Sequence, residues 1–145
     1  MYSENDPPSP VPIHQASCLL ALVGSVCAGF PSPADDFSAK RIDLTAELIT
    51  HPQATFLLKV SGESMRDAGI FDGDMLVVNR AIKPRHNQVV VAVVDGEFTV
   101  KTLFQRAGRT RLKPANVTFP DIVPHEGQTL EVWGVVTAAI KRFQV

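Results

Sequence analysis

Two side chains in this sequence are of types that could make and break a bond. Ser64 lies in Val60-Ser61-Gly62-Glu63-Ser64-Met65, just past an apolar run and beside a glycine that lets the backbone turn sharply. A serine so placed can present its hydroxyl with neighbouring amides aimed at one point, the geometry of an oxyanion hole. A serine after Gly-Glu is more often a plain helix N-cap. Lys101 lies in the strand-like run Glu97-Phe98-Thr99-Val100-Lys101, entered from Asp95-Gly96. At period two it shares a face with Glu97 and Thr99, while Phe98, Val100 and Phe104 take the other. From the strand alone it reads as a solvated lysine, because lysine is seldom buried without a partner. The other polar candidates carry less. His14, His51, His86 and His125 lie far apart, with no HExxH or CxxC arrangement, so no metal site is expected. Neither GxxxxGK[ST] nor GxGxxG occurs, and no cofactor is expected. Asp72 and Asp74 flank Gly73 and read as a tight turn in preference to a catalytic carboxylate pair.

The elements that must hold these residues are strands. TFLLKV (55–60), MLVVN (75–79), QVVVAVV (88–94), EFTVKTLF (97–104), TRLKP (110–114) and LEVWGVVTAAI (130–140) are β-branched runs bounded by Gly, Pro, Asn and Asp. Asp95-Gly96 between two of them is a two-residue hairpin loop, which needs positive φ at both positions. IDLTAELIT (42–50) is the one stretch suited to a helical turn or two. A mainly β chain of 145 residues, 45% hydrophobic and 20% charged, is about one domain's worth. At that size roughly 68–70% of the unfolded surface is buried on folding, so no staple is needed. Two cysteines, Cys18 and Cys27, point to a reducing compartment. A net charge of −1 lacks the excess that drives tight nucleic-acid binding, so direct DNA binding is disfavoured.

The first 34 residues differ in kind, with six of the eleven prolines and only two charges, Glu4 and Asp6. Within them the uncharged stretch ASCLLALVGSVCAGF (16–30) allows three readings: a membrane or signal segment, a core helix, or an extended segment that docks in a groove. It is shorter than the roughly 20 residues that span a bilayer. Val26-Cys27-Ala28 suits a signal peptidase, but the leading segment has two acids where a basic n-region belongs.

Ser-Gly-Glu-Ser-Met at 61–65, Asp67-Ala68-Gly69-Ile70-Phe71-Asp72-Gly73-Asp74 with the strand MLVV behind it, and the Asp95–Lys101 hairpin resemble the serine-lysine self-cleaving peptidase domain shared by LexA, phage repressors and UmuD. The resemblance runs from about Gly29 to Val145, and the reactive pair stands 37 positions apart. Cys27-Ala28-Gly29-Phe30-Pro31-Ser32-Pro33 and His51-Pro52-Gln53-Ala54-Thr55 resemble the UmuD-like branch. The resemblance implies a compact LexA-type peptidase fold of twisted sheets, with residues 1–34 as a flexible N-terminal arm and 35–145 as the peptidase-like domain. It implies Ser64 as nucleophile, Lys101 as general base, and a scissile bond between Ala28 and Gly29. It further implies a cytoplasmic homodimer, stimulation by a RecA-type filament on single-stranded DNA, and action of the trimmed form with a Y-family translesion polymerase in SOS mutagenesis. A lysine near its ordinary pKa of about 10.4 is protonated at pH 7, so such a base works only if burial disfavours its charge. Two other readings of the motifs are a LexA-type repressor fragment and a signal-peptidase-like protease. The first lacks room for a helix-turn-helix domain ahead of Gly29, where four of the preceding residues are prolines. The second requires a membrane anchor and an exposed site for other chains.

Overall fold

The computed structural model of the chain describes residues 18–22, 24–26, 28–29 and 40–145. The chain divides into two compact units, one spanning His14–Thr50 and the other built on His51–Val145. In the first, β1 (Leu19–Leu22) pairs antiparallel with β2 (Lys40–Asp43), Leu19 opposite Asp43 and Leu22 opposite Lys40. A single helix, α1 (Leu44–Leu48), follows at once. Its start is set by Asp43, whose carboxylate accepts from Thr45 N at 3.1 Å and Ala46 N at 3.4 Å, satisfying donors that the first helical turn leaves open. The helical turn expected within 42–50 is therefore present but brief, because its first two residues belong to β2. Within the apolar stretch Leu19–Leu22 is extended and pairs with β2, where the last of the three readings had an extended segment in a groove. Cys27 and Phe30, along with residues 1–17 and 31–39, lie outside the described residues.

The second unit is one antiparallel sheet of six strands: β3 (Thr55–Lys59), β4 (Met75–Asn79), β5 (Val89–Val94), β6 (Glu97–Arg106), β7 (Arg109–Lys113) and β8 (Leu130–Ile140). Their order in space is β3-β4-β8-β5-β6-β7. All six expected strands are present, β4 and β8 with the expected bounds. The β5–β6 turn has φ of 48° at Asp95 and 82° at Gly96, the double positive φ that Asp-Gly tolerates. The last strand in sequence, β8, is inserted between β4 and β5, and its register shifts once against each, between Val77 and Val78 and between Val91 and Ala92. Such bulges bend a strand and sharpen its twist.

Alternation along β5 feeds two hydrophobic clusters. Val91 joins Met65, Ile70, Leu76 and Val78, with partly buried Val60, Val100 and Ala115 against them. Val90 and Ala92 join Leu103, Leu112 and Val135. Successive residues of β5 thus point to opposite sides, and the strand, fully buried from Val90 to Ala92, reads as a continuous apolar run. Met65 lies next to Ser64 and is 2% exposed, so the first cluster anchors the serine's loop in the core.

Candidate active site

Behind β3 the chain leaves the sheet through Gly62, whose φ of 95° lies in the region that favours glycine. Three ties hold the loop that follows. Gly62 N donates to the Asp72 carboxylate at 2.8 Å. Val60 and the turn at 71–74 exchange backbone bonds, Val60 N to Asp74 O and Gly73 N to Val60 O, each 2.8 Å. From the far side, Ala115 N donates to Ser64 O at 2.8 Å, Asn116 Nδ2 to Glu63 O at 3.0 Å, and Asp67 N to Ala115 O at 2.7 Å. Asp72 and Asp74 therefore brace a turn, as the sequence reading had it. Asp74 also pairs with Lys141 and accepts from Phe71 N at 2.8 Å. The hydrogen bond from Lys141, then that from Phe71, holds its carboxyl below the ordinary aspartate value. Ser64 is not a helix cap: the 3-10 turn Arg66–Ala68 has Met65 at its N-cap and no side-chain capping bond.

On the opposite wall stands Lys101. Pairing of β7 with β6 begins only at Thr102 opposite Lys113, so the stretch of β6 from Glu97 to Lys101 has no β7 residue beside it. Lys101 Nζ lies 2.9 Å from Ser64 Oγ, 2.8 Å from Thr99 Oγ1 and 3.0 Å from the Val100 carbonyl oxygen. The residue is 8% exposed, which corrects the solvated lysine suggested by its strand alone. The period-two argument placed it on the Thr99 face, off the Phe98 face, but could not tell that this face is the buried one. Among the described residues no carboxylate forms an ion pair with it. Burial pushes its pKa below the ordinary lysine value. The three contacts suit a neutral amine, which has two N–H bonds and one lone pair. Such an amine can donate to Thr99 Oγ1 and the Val100 carbonyl and turn its lone pair to the Ser64 hydroxyl; a protonated one donates to all three oxygens.

Serine and lysine open on a cleft of about 410 Å³, with Leu58, Val60, Leu76, Val91, Phe98 and Val100 among its apolar lining and Ser61, Gly62 and Thr99 beside the pair. Ala28 and Gly29, the other expected site residues, are exposed in the unit His14–Thr50. Thr99 and Asn116 entered none of the sequence-based site assignments. Thr99 was legible, since it stands two places before Lys101 on the same face; Asn116 was not, lying 53 positions from Glu63.

The histidines stay apart from this centre. Asn79 Nδ2 and His51 Nδ1 are 2.8 Å apart, His86 packs edge-on against Phe104, and His125 N donates to Gln128 Oε1 at 3.1 Å. His14 lies outside the described residues. Among the described residues no three His, Cys, Asp or Glu side chains gather to hold a metal. No helix among them is long and apolar enough to cross a membrane.

Comparison with known proteins places the chain among relatives. The model of the Peptidase S24-like family matches residues 21–137. Protein ImpA of Salmonella typhimurium is 47% identical over 115 residues, covering 79% of this chain and 78% of its own length. Protein MucA of Escherichia coli is 43% identical over 116 residues, covering 79% of each. The LexA repressor of Azoarcus sp. (strain BH72) is 43% identical over 123 residues, which are 84% of this chain and 60% of that protein.

Proposed function

The chain belongs to the Peptidase S24-like family as a UmuD-like SOS mutagenesis protein, and from that premise we propose that it cuts itself between Ala28 and Gly29, with Ser64 as nucleophile and Lys101 as general base. The observation that carries this reading is the 2.9 Å approach of a buried amine, unpaired with any described carboxylate, to a serine hydroxyl. Neutral Lys101 takes the hydroxyl proton as Ser64 Oγ bonds to the Ala28 carbonyl carbon, forming a tetrahedral oxyanion. Collapse breaks the Ala28–Gly29 bond, and the lysine returns its proton to the Gly29 amine. Water then attacks the Ala28 ester, again giving a proton to Lys101, and the serine is regenerated as Ala28 leaves with a free carboxylate.

The substrate arm enters extended. β3 is an edge strand of the sheet, and Leu58, Val60 and Gly62 at its end line the cleft. A strand laid along such an edge gains backbone hydrogen bonds, while alternate side chains find pockets. Alanine before the bond and glycine after it allow close approach to the serine. A tethered arm has a high effective concentration, so cleavage on demand requires the arm to spend most of its time elsewhere. A RecA-type filament on single-stranded DNA supplies the stimulus by favouring the docked arm. The working unit is a cytoplasmic homodimer, and the trimmed form acts with a Y-family polymerase in translesion synthesis.

Purified full-length chain, incubated with and without recombinase filaments on single-stranded DNA, tests the reading. Mass spectrometry should find the products 1–28 and 29–145, formed faster with filaments. Ser64→Ala and Lys101→Ala should each abolish them, whereas Cys27→Ser should cut at the parent rate. Continued cleavage by the Ser64→Ala chain would refute the proposal.

A further inference from the structure

Attack on the Ala28 carbonyl places a negative charge on its oxygen, and something must receive it. The lysine faces the serine hydroxyl, so the receiving donor is to be sought in the backbone of the serine's own loop. Asn116 bears on that backbone. It is 7% exposed, and its two amide ends are not interchangeable. Oδ1 accepts from Thr118 N at 3.1 Å and from Thr118 Oγ1 at 2.8 Å. A flipped amide would set its NH2 against the Thr118 N–H, so Nδ2 must be the end that donates to Glu63 O at 3.0 Å. A trans peptide is planar, with its C=O and N–H on opposite sides. Drawing the Glu63 carbonyl toward Asn116 therefore turns the Ser64 N–H the other way. Ala115 N, donating to Ser64 O at 2.8 Å, holds the next peptide plane. Among the described residues no oxygen accepts from the Ser64 N–H.

Resting on the self-cleavage reading above, we propose that Asn116 is a positioning residue: its side-chain amide holds the Glu63–Ser64 peptide so that the Ser64 N–H meets the oxyanion on the scissile carbonyl. Asn116 touches neither the nucleophile's hydroxyl nor the base. Its whole effect passes through one peptide plane, and Thr118 acts one step further back by fixing the Asn116 amide. The order of effects follows, Asn116 before Thr118, with no change in the proton affinity of Lys101.

The test follows self-cleavage of the full chain from pH 7 to pH 11 for the parent, Asn116→Ala and Thr118→Val, with thermal unfolding of each recorded beside it. Loss of one oxyanion donor costs about 10²–10³ in rate, and a displaced donor less. Asn116→Ala should lower the high-pH plateau about 10- to 100-fold and Thr118→Val about two- to fivefold, with the midpoint of the pH profile unchanged in both. A damaged serine-lysine site would move the midpoint as well. A folded Asn116→Ala chain that cleaves at the parent plateau, or one whose loss comes wholly from a shifted midpoint, overturns the proposal. Should Asn116→Ala fail to fold, Thr118→Val decides: exposed Thr118 tolerates the change, and a parent plateau there overturns the proposal too. A parent chain that does not cleave, or a Ser64→Ala chain that does, strikes the underlying reading instead.

Discussion

An amine beside a hydroxyl is a base only in those molecules where it has lost its proton, and for Lys101 burial enlarges that fraction. The sign is fixed by the direction of its shift. Self-cleavage should rise with pH through a midpoint below the roughly 10.4 of a free lysine and level off above it, read from initial rates in buffers of constant ionic strength. The same burial costs stability, because the unfolded chain holds the lysine's proton more tightly than the folded one. Lys101→Met should therefore abolish cleavage yet raise the urea midpoint at pH 7. That gain should shrink as pH climbs toward the unfolded lysine's pKa, where the parent is no longer penalised. Thr99 uses up one of the amine's two N–H bonds and so helps aim the lone pair. Thr99→Val keeps the shape and removes the acceptor. With one hydrogen bond worth about 0.5–1.5 kcal/mol, its plateau rate should fall about three- to tenfold, with a loss of thermal stability of similar size beside it.

Elements set how tightly those residues are held. β8 crosses the middle of the sheet, and at Gly134 it passes so close to β4 that a Cβ would lie 2.6 Å from Val78 Cγ1. Val78 is fully buried in the cluster that anchors Met65, so it has little room to yield. Gly134→Ala should lose about 1–3 kcal/mol in urea titration, the usual cost of overpacking. The turn at 71–74 is tied to the end of β8 by Asp74 and Lys141. A carboxylate whose folded pKa is lowered contributes stability above its unfolded pKa of about 3.9 and loses it as pH falls through the folded value. Asp74→Asn should thus be the less stable chain at pH 7, and the difference should narrow as acid titration passes below the unfolded carboxylate's pKa and through the lower folded value.

For the whole molecule, every residue of both described clusters falls between Leu58 and Val136, within the unit His51–Val145. The chain 29–145 should therefore unfold in one transition, with an unfolding free energy from urea titration within about 0.5 kcal/mol of the Ser64→Ala full-length chain, the range of changes that spare a core. How much of this was legible beforehand differs by kind of feature. The six strands and the Asp95-Gly96 turn are properties of short stretches, in which β-branched runs and positive-φ residues act on their own neighbourhoods. They could be read directly, and the motif around Ser64 and Lys101 with them. β1 and β2 could not, because Leu19–Leu22 and Lys40–Asp43 are strands only by virtue of each other, some twenty residues apart. Ser64, Thr99 and Lys101 were nameable from sequence order. That Lys101 is buried, that its amine lies 2.9 Å from the Ser64 hydroxyl, and that Asn116 grips the Glu63 carbonyl were decided by the tertiary structure alone. Burial and hydrogen-bond direction depend on which distant segments pack together, and no stretch of chain contains that information about itself.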